Sequence, residues 1–536
     1  MKLFNPQDFK KIDEEANLSY GYPESILMEN AGRGFFESLK RDFGYSRKLS
    51  FTVVCGKGNN AGDGFVISRY LFNGGYDIST IITAKRESYQ GVALQNLNIL
   101  IKLGVNLIEI TKENVKYLSE ILCRTDVLVD AIFGTGLDRE VTGFPKEIIG
   151  LINENDCYDV LCVDVPSGLN SANGMFMGCG IKNNLKMVYT FGGLKTGFFL
   201  NDGERLGLAQ KTKVIDVNYP KALLEKFNSG VELIDEEDIR GIVSMRNPLG
   251  TKFSYGHLLV IAGSEGKGGA AYMSALGGFK GGAGLVTLAV PEKINPAMEE
   301  KATEIITFPV PDSGKGYFTS KGSDYIKKSG LLKGKTAVVI GPGIGLNAGT
   351  KDFLFSVLSV LGDMGNVPVV IDADGLNILS EKVDFLNGLK GVNVVLTPHF
   401  KEMERLSGTK RNILEKDPFY HGFEFVKKYG VCLALKGAST YIFDKNAKEA
   451  SLQGTHSPVL ASGGSGDVLS GLTGSFISQG IREYDSARAA SYLMTASAEN
   501  LRLKYGDFGI GAARVAGNIP ITVRNILKQS RRGLDA

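Results

Sequence analysis

The chain has 536 residues, long enough for two or more domains. Its 61 basic and 58 acidic residues leave a net charge of +3, which excludes a global field that would gather nucleic acid or a membrane surface. The six cysteines (Cys55, Cys123, Cys157, Cys162, Cys179, Cys432) fall mainly in apolar segments without a CxxC, as reduced core thiols of a cytoplasmic protein do; the four histidines lack metal-ligand spacing, so no zinc site is expected.

The opening residues, Met1 to Asp8, lack the apolar core of a signal peptide, and no apolar run is long enough to span a bilayer. Short apolar runs then alternate with amphipathic stretches. Strands are predicted at Phe51–Cys55, Ile78–Thr83, Val127–Ile132 and Val160–Val163, and helices at Glu24–Phe43, Val92–Leu103 and Lys112–Leu122. Continuous β-branched strands at this spacing predict βαβ units and a mainly parallel sheet covered on both faces. Ligands of such sheets bind at the carboxyl ends of the strands.

Gly56-Lys57-Gly58-Asn59-Asn60-Ala61-Gly62-Asp63-Gly64 follows the first of these strands. It mimics a dinucleotide fingerprint, but two side-chain amides and an aspartate suit ribose hydroxyls or a cation better than a pyrophosphate. Asp130 and Ser167 lie in later strand-end segments. With Asn60 they offer oxygen ligands and one charge, which suits an alkali cation better than zinc; the alternative is three unrelated polar loop groups.

Residues 217–240 are charged and less periodic, and are read as a linker. A second alternating series runs from His257–Ile261 through Thr336–Ile340, Pro368–Ile371, Val392–Leu396 and Val431–Leu435. Two helices, Asp467–Gln479 and Tyr484–Leu503, are expected to close it, and the tail from Arg531 to Ala536 is expected to fray.

Strand ends in this half carry, in order, Gly341–Gly345, Asp372–Asn377, Thr397–Met403 and Leu435–Thr440. The glycine loop is either a close-approach loop or a plain turn. The acidic pair, Asp372 and Asp374, either holds water on Mg²⁺ or caps a helix. Gly463-Gly464-Ser465-Gly466-Asp467 then runs into an apolar helical segment. Small residues let the backbone approach a ligand, and the N–H groups of a helix start attract an anion. A phosphate cradle gains nothing from one more negative charge, but it can use a group that takes a proton from an attacking hydroxyl. The pentapeptide thus predicts either phosphoryl transfer to an alcohol, with Asp467 as base, or a glycine-rich turn with an aspartate at a helix start.

Gly341–Gly345, Asp372–Asn377, Thr397–Glu402, Lys436–Thr440 and Ala461–Leu469, with Gly263-Ser264 and Lys280–Thr287, together resemble the ribokinase-like ADP/ATP-dependent NAD(P)H-hydrate dehydratases. The resemblance implies that Asp467 faces the hydrate's hydroxyl and that Gly464–Gly466 hold the transferring phosphoryl group. It implies that Ala283, Gly343 and His399 line the hydrate pocket. Lys436, Gly437, Ala438, Ser439 and Thr440, with Ser457, Gly463, Gly464, Ser465 and Gly466, would hold the nucleotide, ADP or ATP with Mg²⁺. Phe400-Lys401 departs from the family's spelling of the TPH loop and is expected to reshape the hydrate pocket, and Ser462 replaces a threonine.

In the first half, Leu27–Gly32, Gly58–Gly64, Asp130–Leu137 and Asp164–Leu169 resemble NAD(P)H-hydrate epimerase. This implies K⁺ on Asn60, Asp130 and Ser167. Asn59, Asn60, Ala61, Gly62 and Asp63, with Gly134, Thr135, Gly136, Leu137, Asp138, Arg139 and Glu140, would contact the hydrate, and Asp164 would be the acid/base. Lys195 is either its helper or a solvated surface lysine. The expected architecture is α/β in two domains, a Rossmann-like parallel-sheet domain at 1–216 and a ribokinase-like domain at 241–536. The expected protein is a cytoplasmic homo-oligomer that repairs hydrated NADH and NADPH, with no nucleic-acid or membrane partner. A small-alcohol kinase of the thiazole or pyridoxal type and a non-catalytic nucleotide-binding protein stay open.

Overall fold

Seven parallel strands form the first sheet: β1 (Ser50–Cys55), β2 (Asp77–Ile82), β3 (Asn106–Glu109), β4 (Val127–Ala131), β5 (Asp159–Val163), β6 (Leu185–Phe191) and β7 (Thr212–Ile215). Their order is β3-β2-β1-β4-β5-β6-β7. The winding reverses between β1 and β4, which opens a crevice at their carboxyl ends. The two segments with the most chemistry, Gly56–Gly64 after β1 and the loop from Asp130 at the end of β4, emerge into that crevice. The computed structural model describes residues 1–227, 230–389 and 391–532.

The central strand Val127–Ala131 is buried end to end and Asp159–Val163 is buried after its first residue, as their mostly apolar sequences require. Phe35, Phe51, Phe65 and Tyr189 are fully enclosed in this core. A second small core holds Phe4, Phe9, Ile12, Ala16 and Leu223, under the helix Pro6–Tyr20.

The second sheet has ten strands: β8 (Val231–Leu233), β9 (His257–Ile261), β10 (Leu285–Pro291), β11 (Ile306–Val310), β12 (Ala337–Ile340), β13 (Val369–Ile371), β14 (Val394–Leu396), β15 (Cys432–Lys436), β16 (Thr440–Phe443) and β17 (Ala450–Gln453). Their order is β8-β17-β16-β15-β14-β13-β12-β9-β10-β11. Pairs from β11 across to β15 are parallel, whereas β15-β16-β17 is an antiparallel meander. The carboxyl ends of β12, β13, β14 and β15 are therefore neighbours, in the order in which their loops occur in the chain.

The helix Ser465–Ser478 packs on the helix Gly268–Lys280 with almost no side chain between them. A Cβ on Gly471 would lie 1.8 Å from the Ser274 carbonyl oxygen, and one on Gly277 would lie 2.4 Å from that of Val468. Glycine lets these two backbones touch.

The chain divides into two compact units, Lys2–Val231 and Glu232–Ala536 with Met1. The stretch read as a linker carries the helix Lys221–Lys226, the strand β8 and the helix Glu236–Ile242. Its acidic run is a capping device: Asp235 accepts from the Asp238 N–H at 3.0 Å, and the Asp238 carboxylate answers on the Asp235 N–H. Positions 228 and 229 lie outside the described residues.

Two helices were expected to end the domain, and a third follows, Ala512–Arg532. Pro520 inside it breaks the pattern that a sequence reading relies on. Residues 533–536 of the tail expected to fray lie outside the described residues. Cys55, Cys162 and Cys432 are core thiols, but Cys123 and Cys157 are exposed and Cys179 is half-buried. Cys123 caps the helix Val115–Leu122 and Cys157 lies in a loop, so neither has a core to enter. Among the described residues no helix is long and apolar enough to cross a membrane, and no three His, Cys, Asp or Glu side chains are grouped to hold a metal.

Candidate functional site

In the second unit the helix Ser465–Ser478 begins at Gly464, whose φ of +93° turns the chain into it. The Gly466 and Asp467 N–H groups fall in the first turn, where no carbonyl one turn back is available to them. Asp467 is the third helical residue, half-buried beside this row of donors. Burial, then the neighbouring Asp372 carboxylate, push Asp467 up to about 7, against the pull of Lys436.

Lys436 ends β15, and its Nζ donates to Asp372 Oδ1 at 2.8 Å. The same ammonium lies 3.3 Å from where a Cβ on Gly466 would stand, so it borders the anion cradle. Burial works against its charge, but Asp372, Glu402 and Asp467 together hold its pKa above the ordinary lysine value. Asp372 is fully buried at the end of β13 and is followed by Ala373 at φ +54°, a strained backbone that a strand end in a site tolerates. Asp374 accepts from the Gly345 N–H at 2.9 Å and from Lys267 Nζ at 2.8 Å. Neither aspartate caps a helix by its side chain. Gly341 has φ +125°, and a Cβ there would lie 2.0 Å from the Asp372 carbonyl oxygen, so glycine is required here for the close packing of the loop on the protein's own backbone. Gly343 accepts from Ser264 Oγ at 2.8 Å on the same side.

His399 caps the helix Phe400–Ser407: its Nδ1 accepts from the Glu402 N–H at 3.0 Å, and Glu402 Oε2 accepts from the His399 N–H at 2.9 Å. Its Nε2 lies 3.6 Å from Glu402 Oε1, on the half-exposed side of the ring. Burial beside Lys436 pulls His399 below the ordinary histidine value. Burial pushes Glu402 up to about 7 although Lys436 opposes it. Phe400 lies edge-on to Tyr441, 2.8 Å from where a Cβ on Gly437 would stand, and Lys401 is exposed. The Phe400-Lys401 departure thus shapes the Lys436–Thr440 side.

Around that side, His456 Nδ1 lies 3.0 Å from the Ala438 carbonyl oxygen, Ser439 is buried, and Thr440 starts β16 opposite Lys436. Ser457 Oγ is buried without a hydrogen-bond partner, and Gly463 is exposed. Ala283 does not join this group. It lies just before β10, at the amino ends of the strands, with its N–H on Ser475 Oγ at 2.9 Å. The 13-residue helix Gly268–Lys280 separates it from Lys267, about 20 Å at 1.5 Å per residue.

In the first unit Asp164 follows β5 with φ +64°. Its Oδ1 accepts from Lys195 Nζ at 2.7 Å, Thr190 Oγ1 at 3.0 Å and the Phe191 N–H at 3.1 Å. Oδ2 has no partner among the described residues and is the open oxygen. Lys195 is 1% exposed, so it is no surface lysine. Burial pulls its pKa below the ordinary lysine value, against the carboxylates of Asp164, Asp13 and Asp63. Its three N–H bonds all have protein acceptors: Asp164, Thr190 Oγ1 at 2.6 Å and the Phe191 carbonyl at 2.8 Å. Lys195 Nζ therefore has no N–H left over for a ligand. Asp63 lies in the helix Asn59–Asn73; burial, then Asp164, Asp13 and Glu24, push its carboxyl well above the usual range. Ala61 is buried in the first turns of that helix at negative φ, where alanine costs nothing. Asn59 Nδ2 donates to Glu24 Oε1 at 2.6 Å. The loop from Gly134 to Glu140 is half-exposed to exposed, free to meet a ligand.

Asp130 and Ser167 are both fully buried, and Ser167 donates to Asp130 through Oγ at 2.5 Å and through its N–H at 2.8 Å. Asn60 is buried with Oδ1 turned to Gly134 and Nδ2 without a partner. Asp130 has neutral donors as its hydrogen-bond partners, so this all-oxygen set fits a monovalent cation.

Glu402 carries no assignment in the sequence reading, although its place three residues after His399 is capping-box spacing. Thr190, Phe9, Asp13 and Tyr219 have no sequence signal that would single them out.

Residues 258–520 match the family described as NAD(P)H-hydrate dehydratase, and residues 24–197 match the YjeF-related protein N-terminus. The "Bifunctional NAD(P)H-hydrate repair enzyme Nnr" of Moorella thermoacetica is 32% identical over 98% of this chain and 97% of its own length. The protein of the same name from Dictyoglomus turgidum is 32% identical over 99% of both chains. A solved ADP/ATP-dependent NAD(P)H-hydrate dehydratase from Bacillus subtilis, co-crystallized with ATP/Mg²⁺, aligns with a TM-score of 0.47 at 23% identity, over 56% of this chain and 99% of that one. With two catalytic half-sites on one chain, and relatives that span both, the protein belongs to the family of bifunctional NAD(P)H-hydrate repair enzymes.

Proposed function

We propose that the first unit interconverts the R and S hydrates of NADH and NADPH, and that the second dehydrates the S epimer with a nucleotide as phosphoryl donor. With ADP the products are NAD(P)H, AMP and phosphate. The observation that carries the reading is Asp467: a carboxyl pushed up to about 7, in a helix first turn where the Gly466 and Asp467 N–H groups have no carbonyl one turn back, beside the Lys436 ammonium. Small-alcohol kinases have no need of the first unit, and a binding protein has no need of a base in an anion cradle.

The C6 hydroxyl of the hydrate is a poor leaving group. Asp467 removes its proton as the oxygen attacks the terminal phosphorus of the donor; the bond to the nucleotide's bridging oxygen breaks and AMP leaves. The Gly464–Gly466 backbone and Lys436 stabilise the moving charge. The ring nitrogen's lone pair then expels phosphate from C6, and loss of the C5 proton restores the dihydropyridine. Gly343 and His399 Nε2 face the hydrate, while Lys436–Thr440 and Ser457 hold the nucleotide. Mg²⁺ bound with the nucleotide would neutralise phosphate charge; among the described residues no three His, Cys, Asp or Glu side chains are grouped to hold a metal.

In the first unit, the ring nitrogen again expels the C6 oxygen, as water, and water returns on either face. Departure needs an acid and return needs a base. Asp63, held above the carboxylate range, and Asp164, paired to Lys195, supply the two states side by side. Asn60, Asp130 and Ser167 would hold K⁺, which would supply a fixed positive charge near the hydrate's phosphates. The enzyme works in the cytoplasm as a homo-oligomer.

The test mixes the protein with both epimers of NADH hydrate, Mg²⁺, and ADP or ATP, and follows NADH absorbance. Full recovery is expected. Recovery that stops at one epimer removes the epimerase, and none with either nucleotide removes the dehydratase.

A further inference from the structure

The first twenty residues precede the segment that matches the epimerase family, residues 24–197, yet they build the enclosure of Lys195. Leu3–Phe4 runs parallel to Leu194–Lys195, with Phe4 in register with Lys195. The ring of Phe9, on the helix Pro6–Tyr20, lies 4.4 Å from Lys195 Nζ, and Phe9 is itself buried. Opposite the ring, Nζ makes its three hydrogen bonds, to Asp164 Oδ1, Thr190 Oγ1 and the Phe191 carbonyl. Thr190 Oγ1 is fully buried, accepts from Lys195 and donates to the same Asp164 Oδ1. Every group that reaches Asp164 from this side ends on one of its two oxygens.

We propose that Phe9 and Thr190 are positioning residues of the epimerisation site: the ring of Phe9 and the hydroxyl of Thr190 fix the Lys195 ammonium on Asp164 Oδ1 and leave Oδ2 as the atom that exchanges a proton with the hydrate. The inference rests on the epimerase reading above and deepens it. An ammonium with all its N–H bonds engaged is still free to rock about them. A π face 4.4 Å from the nitrogen limits that freedom and keeps water out, because the ring's negative face attracts the cation. Thr190 works as a bridge: as acceptor it holds Lys195, and as donor it holds Asp164, so loss of its hydroxyl loosens both at once. Leu3–Phe4 and the helix Pro6–Tyr20 are then part of the active site.

The experiment measures interconversion of purified NADH-hydrate epimers by the full-length chain, with kcat and KM resolved. The variants are Phe9→Leu, Phe9→Tyr, Thr190→Val and Thr190→Ser. Dehydration of the S epimer reports only that the other unit is folded, so near-UV circular dichroism and thermal melting of each variant report the fold of the first unit. Phe9→Leu and Thr190→Val should each lower kcat for epimerisation about tenfold with KM unchanged, the size of one desolvated cation–π contact or one buried hydrogen bond. Phe9→Tyr and Thr190→Ser should retain most of the rate. The proposal is overturned if Phe9→Leu and Thr190→Val keep the wild-type kcat, if KM alone moves, or if the conservative variants lose as much as the others. Wild-type protein that dehydrates the S epimer but never interconverts the two would remove the epimerase reading itself, and this inference with it.

Discussion

Lys436 Nζ meets Asp372 Oδ1 at 2.8 Å, and the same ammonium lies against the Gly466 backbone at the start of the anion-binding helix. A buried ion pair thus forms one wall of the proposed phosphoryl site. Removing the cation strands the carboxylate. Lys436→Met is expected to destabilise the second unit by about 3–5 kcal/mol, the usual result of breaking a buried pair from one side. Dehydration should fall with it. Thermal unfolding of the variant, compared with Asp372→Asn/Lys436→Met, checks this: the double variant should recover part of the loss, because no unpaired charge remains.

Asp467→Asn keeps the shape of the helix start and removes the base. Recovery of NADH from the S epimer should drop by about 10²–10⁴-fold, the range of a general base. Interconversion of the epimers should continue at the wild-type rate, measured by chromatography of the two hydrates. A fall in both activities would contradict the assignment.

The pH dependence of dehydration follows from two carboxyls near 7, Asp467 and Glu402. As a base, Asp467 must be ionised, so kcat/KM should rise through about pH 7 from the acid side. Glu402 is one of the charges that raise Asp467, so Glu402→Gln should move that limb to lower pH. Stability has the opposite sign. Both groups have folded values above their ordinary 3.8 and 4.5, so their contribution is full below those values and is lost as pH rises through about 7. A pH series of denaturation midpoints for Glu402→Gln should show a smaller loss over that window than the wild type.

The oxygen set Asn60, Asp130 and Ser167 predicts a specific response to K⁺. KCl should raise the unfolding temperature of the first unit and its epimerase rate above equal NaCl or choline chloride. Asp130→Asn should abolish the difference, since it removes the set's one charge.

Gly471→Ala drives a methyl into the Ser274 carbonyl, 1.8 Å away, and must part the helices Ser465–Ser478 and Gly268–Lys280. A loss of about 2 kcal/mol or more is expected from overpacking, with slower dehydration because the helix carries Asp467. Melting and turnover measured on the same preparation check both effects.

Several strands were legible to within one or two residues, and Glu24–Phe43 and His257–Ile261 stand as their patterns predict. Period-2 and period-3.6 signals are local, and in a parallel sheet they are strong because whole strands are buried. Segments of unusual residue type, such as the Asn59-Asn60 pair that starts the helix Asn59–Asn73 and the glycine run ending in Asp467, also stand out in the sequence, because few structural roles need those residue types together. Less legible were the helix Ala512–Arg532, hidden by Pro520, and the capped helix within residues 217–240, hidden by its own charges.

The sequence by itself determined the two α/β domains, the family, and the loops that carry the chemistry, because these depend on local pattern and residue type. Tertiary structure alone decided which atoms meet. It joined Lys436 to Asp372 and Phe9 to Lys195, set Lys195 in the core and not on the surface, and left Ala283 at the far end of the sheet. These are contacts across tens to hundreds of residues, fixed by strand order and helix packing, and no periodicity along the chain encodes them.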